Sequence, residues 1–178
     1  MMRGVVLVTG VMAAGKSTVA QALAERLPRA AHVRGDVFRR MIVSGREEYA
    51  PGASEDAVAQ LRLRYRLSAA TADAYAEAGF TAVVQDVVLG DDLTAYVGLV
   101  RTRPLYVVVL APDPRTVAAR EAGRAKTGYD GEAWTIAALD EALRESTPPV
   151  GLWLDTSAQT PAQTVEAILA GRERARVL

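Results

Sequence analysis

Gly10-Val11-Met12-Ala13-Ala14-Gly15-Lys16-Ser17 reads G-x-x-x-x-G-K-S, the spacing of a phosphate-binding loop. The two glycines let the main chain turn tightly and bring its N–H groups close to phosphate oxygens. The helix that follows points the positive end of its dipole at the anion. Lys16 is a mobile cation that reaches β- and γ-phosphates, and Ser17 offers a hydroxyl to Mg²⁺. Nucleotide contacts are therefore expected from Gly10, Val11, Met12, Ala13, Ala14, Gly15, Lys16, Ser17 and Thr18.

The flanks suit such a loop. Val5-Val6-Leu7-Val8 is a short apolar, β-branched run, as a buried parallel strand requires. After the loop, Val19, Ala20, Leu23 and Leu27 recur on one helical face, and Pro28 stops the helix. Farther on, strand-like runs at 4–9, 31–34, 80–86, 105–110 and 151–155 alternate with helical patterns at 16–27, 36–44, 54–78, 91–101, 113–124, 131–145 and 161–174. The alternation predicts a three-layer α/β/α fold with a five-stranded parallel sheet. No linker or repeat divides residues 1–178, so one domain is expected. Residues 62–67 alternate with period two, but their alanine-rich surroundings favour helix. Arg62, Arg64 and Arg66 then either line a cleft or form a solvated face.

Composition narrows the function. The 21 basic and 21 acidic residues cancel, which argues against a polyanion such as nucleic acid as partner. Without cysteine there are no disulfides or thiolate metal sites, and the single histidine, His32, excludes a multi-histidine site. No apolar run reaches membrane-spanning length, and a strand begins within a few residues of Met1. A cytoplasmic protein without a membrane partner is expected. Oligomeric state is not readable.

Phosphate transfer needs more than phosphate binding. It needs a group to orient or deprotonate an acceptor hydroxyl and cations to neutralise the moving phosphoryl group. Asp36 stands at the carboxyl end of the second strand, where ligands bind in an open α/β sheet, with Arg39 and Arg40 in the next turn. A plain N-cap is the alternative for Asp36. Asp86 ends a buried strand and needs a partner, either Mg²⁺, the substrate or a structural hydrogen bond. Gln85 beside it is expected as a polar substrate contact. Arg120 and Arg124 share a helical face that runs into a glycine-bearing basic turn with Lys126, which suggests a lid over about 115–130. Thr156, in the turn after the last strand, lies where a nucleotide base would sit. Tyr49, Tyr65 and Tyr129 are pocket candidates or packing residues.

Four segments, VLVTGVMAAGKST, RGDVFRRMI, AVVQDVVLGDD and AAREAGRAK, resemble the phosphate-loop small-molecule kinases. They are most similar to the chloramphenicol phosphotransferase-like group, and more distantly to gluconate and shikimate kinases. The resemblance implies ATP- and Mg²⁺-dependent transfer to a small-molecule hydroxyl. It implies Asp36 as general base, Lys16 and Ser17 on nucleotide and metal, and Arg120 and Arg124 as lid residues. Gln85 and Val88 depart from that group's pattern, which leaves the acceptor unassigned. Two other readings remain. One is a nucleotide-dependent switch, although an N-K-x-D guanine motif is lacking. The other is a kinase for a nucleotide, a nucleic-acid end or a nucleotide sugar, as in zeta-toxin-like kinases.

Overall fold

The computed structural model describes residues 2–123 and 134–177. Five parallel strands form one sheet in the order β2-β3-β1-β4-β5. They are β1 (Val5–Gly10), β2 (Ala30–Arg34), β3 (Thr81–Gln85), β4 (Leu105–Leu110) and β5 (Leu152–Leu154). Every residue of β1, β3 and β4 is buried, which is why these strands read as continuous apolar runs.

Helices cover both faces. On one, α1 (Lys16–Arg26) packs against α7 (Pro161–Ala170), burying Val19, Ala20 and Leu23 of α1 as the sequence spacing predicts. Right-handed crossovers put α3 (Glu55–Glu77) and α4 (Asp91–Leu99) on the other face. Truncating a fully buried leucine such as Leu7 or Leu23 to alanine costs about 2–5 kcal/mol in cores of this kind. Short helices complete the chain: α2 (Gly35–Arg40), α5 (Pro114–Ala122), α6 (Ile136–Glu141) with a π-helical turn over Ala142–Ser146, and α8 (Arg172–Ala175).

The register fixes the site. Val8 pairs with Gln85, Arg34 with Gln85 across the next ladder, and Gly10 with Leu110. The carboxyl ends of β1, β2, β3 and β4 therefore finish at one edge. The chain leaves β1 toward one face and leaves β3 and β4 toward the other, so a crevice opens at that edge.

The elements expected from sequence are present, with shifted ends. Helix α2 stops at Arg40 and not at residue 44. The apolar Met41-Ile42-Val43 extended the pattern, yet Val43 is 96% exposed and Gly45 takes φ +72°. The helix expected over 131–145 begins at Ile136, because the Thr135 side chain accepts the Ala138 N–H and caps it there. Residues 62–67 are helical, within α3.

Candidate active site

Strand β1 ends at Gly10, whose φ of +148° and surroundings both demand glycine: a Cβ would lie 2.5 Å from the Leu110 carbonyl. The chain then wraps into a loop closed by the Ala14 N–H, which donates to the Val11 carbonyl at 3.2 Å. Ala13 is left-handed at φ +60° and Gly15, the N-cap of α1, at +93°. A left-handed alanine costs about 1–2 kcal/mol, so the fold over-determines this turn. Lys16 is 8% exposed, and its Nζ donates to the Val11 carbonyl at 2.6 Å. From α5, Arg120 donates through Nη1 to the Ala14 carbonyl at 3.1 Å and through Nη2 to the Thr156 carbonyl at 2.9 Å. One guanidinium thus joins the loop to the turn after β5.

At the end of β3, the Ser17 hydroxyl donates to Gln85 Oε1 at 2.9 Å. Asp86, fully buried, is gripped by Arg64 of α3. Nε donates to Oδ2 at 2.8 Å, Nη2 donates to Oδ1, and the Val87 N–H also donates to Oδ1, at 2.7 Å. Burial pushes the Asp86 carboxyl up, against the pull of Arg64, the Val87 N–H and Lys16. Burial lowers the Arg64 guanidinium, but Asp86, together with Tyr65 and Asp36, outweighs it and holds the group above its ordinary value. The backbone of Gly35 lies directly against this carboxylate, leaving no room for a side chain.

The plain N-cap reading of Asp36 is not what the structure holds. Arg34 is the N-cap of α2, without a side-chain bond, and Asp36 sits inside the first turn. Its half-exposed carboxylate meets Arg40 at 3.2 Å, while Arg39 pairs with Glu48. Asp36, Arg39 and Arg40 face the same cleft as the loop, a cavity of about 1210 Å³. That cavity brings together Lys16, Ser17, Thr18, Gln85, Asp86, Arg120 and Thr156 with the α2 residues. Gly10 and Val11, also expected at the nucleotide, are buried and do not line the cavity. Arg124, Lys126, Tyr129 and the rest of the expected lid from 124 to 130 lie outside the described residues, while 115–123 belong to α5 and its C-cap.

Of the three arginines in 62–66, Arg62 and Arg66 are exposed and only Arg64 reaches the cleft. Helical spacing separates them: Arg62 and Arg66 share a face one turn apart, and Arg64 points away from it. Tyr65 is buried, and its hydroxyl donates to the Val87 carbonyl at 2.8 Å. Tyr49 meets Trp134 at the cleft mouth, ring centroids 6.2 Å apart. No periodicity or motif singles out Trp134 or Glu48 in the sequence. Among the described residues, no cluster of three or more acidic or histidine side chains could hold a metal ion unaided, and no helix is long and apolar enough to cross a membrane.

Comparison with known proteins agrees with this architecture. A protein-family model described as an AAA domain matches residues 5–149. No curated protein matches the chain. Among solved structures, a sugar kinase from Janibacter sp. HTCC2649 superposes with a TM-score of 0.70 at 20% identity, over 98% of this chain and 96% of that one. A gluconokinase from Sinorhizobium meliloti 1021 does so at 0.63 and 22%, over 97% and 94%. The Mycobacterium tuberculosis APS kinase in complex with AMPPNP and APS does so at 0.65 and 15%, over 96% and 98%. At these identities the likeness is one of fold, that of a phosphate-loop kinase.

Proposed function

This chain belongs to the AAA-domain family, and we propose that it is a phosphotransferase using ATP and Mg²⁺ to phosphorylate a small-molecule hydroxyl. One observation carries the reading: Asp36 and the phosphate loop line one cleft, with Arg120 docked on the loop. A switch protein needs the loop alone. A carboxylate flanked by Arg39 and Arg40 on the opposite bank suits an acceptor. The kinase folds among its structural neighbours support the same reading, as does the narrower kinship with chloramphenicol phosphotransferase-like enzymes suggested by the four sequence segments.

The residues present fit a nucleotide and its metal. The Ser17 hydroxyl and Gln85 carbonyl, 2.9 Å apart beside the loop, are hard oxygen donors of the kind Mg²⁺ takes alongside phosphate oxygens. Mg²⁺ there would neutralise charge on the β- and γ-phosphates. The loop amides and Lys16 bind the phosphates. Arg120 orients the loop and supplies positive charge on the side where the γ-phosphoryl group departs. Asp36 accepts the proton of the acceptor hydroxyl as its oxygen bonds to phosphorus, and ADP leaves. Arg39, Arg40 and Gln85 position the acceptor, and Thr156 borders the nucleotide. In this reading Asp86 contributes by holding Arg64 and the third-strand turn in place, next to the metal's surroundings. Residues 1–178 act as a single kinase domain, with the segment around 115–130, including Arg124, as its lid, and the protein works in the cytoplasm.

The test is Asp36→Asn. With the acceptor found by an ATP-consumption screen of hydroxyl compounds, the variant should keep ATP affinity and lose about 100-fold or more in kcat. Full turnover by Asp36→Asn would remove the general base from the mechanism. Hydrolysis stimulated by a protein and by no small molecule would favour a switch.

A further inference from the structure

We propose that the acceptor carries no acidic group and is a neutral or amine-bearing hydroxyl compound. This rests on the phosphotransferase reading and concerns the acceptor bank of the same cleft, formed by its lining residues between Arg34 and Asp92.

The arginines there look at first like an anion site, but their charge is already used. Arg39 is paired with Glu48, Arg40 with Asp36, and Arg64 with Asp86. An acidic acceptor would have to displace one of these carboxylates. For Arg64 that means stripping a fully buried Asp86 of the guanidinium that grips it. Arg34 alone has no ion pair among the described residues, and it is exposed at the end of β2. Two further carboxylates, Glu47 and Asp92, line the cavity. Four arginines therefore face five carboxylates on this bank. A bound nucleotide adds negative charge beside it, offset by Lys16 and Arg120 on the other bank. The field at the acceptor position thus disfavours a carboxylate or phosphate and tolerates a hydroxyl or an ammonium.

Calorimetry on the full chain, saturated with AMPPNP and Mg²⁺, tests this without knowing the natural acceptor. The probes are sorbitol, gluconate and sorbitol 6-phosphate. The wild type should bind the two anions no tighter than sorbitol. Glu48 is a surface residue that holds Arg39 and also approaches Arg46 at 3.7 Å, so Glu48→Gln frees guanidinium charge without disturbing the core. In that variant, affinity for the anions should rise about tenfold while affinity for sorbitol stays unchanged. Wild-type binding of either anion at least about tenfold tighter than sorbitol would overturn the proposal, as would an anion affinity that Glu48→Gln leaves unchanged. Phosphorylation of a sugar acid in preference to its neutral counterpart would also overturn it, and would leave the phosphotransferase reading intact. That reading stands or falls on Asp36→Asn.

Discussion

Gly35→Ala should destabilise the protein far more than a helix-favouring substitution normally does. Gly35 is buried in the first turn of α2, and a methyl group there would fall 3.0 Å from Asp86 Cβ and inside the contact distance of its carboxylate. Asp86 cannot move aside without leaving Arg64 and the Val87 N–H. Breaking a buried ion pair costs about 3–5 kcal/mol. The gain of alanine over glycine in a helix offsets about 1 kcal/mol. The net loss is about 2–4 kcal/mol, which lowers the melting temperature of a chain this long by roughly 4–16 °C. Calorimetric melts should be run on Gly35→Ala alone and in an Arg64→Met/Asp86→Ala background. That background removes both charges and opens space, so there the alanine should be neutral or stabilising. An equal penalty in both backgrounds would mean that the cost does not run through the ion pair. A Gly35→Ala variant that melts with the wild type would mean that there is no such cost.

Two other substitutions probe different parts of the fold. Arg120→Ala should cost about 100-fold or more in kcat, with a smaller change in the KM for ATP, and about 1–3 kcal/mol in stability, since it takes a donor from the carbonyls of the buried Ala14 and Thr156. Steady-state kinetics with urea melts separate the two effects, and an unchanged kcat would exclude Arg120 from the transfer step. Asp73, buried in α3, accepts the N–H groups of Arg101 and Thr102, the latter at 2.9 Å. Burial pushes its carboxyl up, but these hydrogen bonds outweigh it and hold the group below its ordinary value near 3.8. A depressed carboxylate stabilises the fold above the unfolded value, and that stabilisation is lost as pH falls through the folded one. Asp73→Asn should therefore cost about 1–3 kcal/mol at neutral pH, with the difference shrinking below pH 3.8 in urea melts. A difference that stays constant down to strongly acidic pH would contradict the assignment.

Much of this was legible in the chain because local signals agreed. A loop that needs a strand before it and a helix after it, followed by alternating apolar runs, leaves few other folds. Asp36, Arg39 and Arg40 were legible because sheet topology dictates which strand ends gather. What stayed hidden depends on side-chain direction and on distant pairing. That Arg64 rather than Arg62 or Arg66 meets Asp86 follows from the phase of α3. That Glu48 neutralises Arg39 follows from the path of an irregular segment with no periodic signal. Gly35 gave no hint, since its constraint comes from a carboxylate brought alongside by the β2–β3 ladder.

The strand order has one more consequence. With β1 at the centre, the segment between β2 and β3 builds one bank of the cleft, and the segments after β4 and β5 build the other. Among the described residues the two banks meet at the loop, the sheet edge and the Tyr49–Trp134 contact. Residues 37–60 could therefore be exchanged for those of a relative, with Gly35 and Asp36 kept, while every ladder pairing stayed in place. On the phosphotransferase reading, evolution has the same freedom: a lineage built on this scaffold can diversify its acceptor by rewriting one stretch of chain, while inheriting the phosphate loop unchanged.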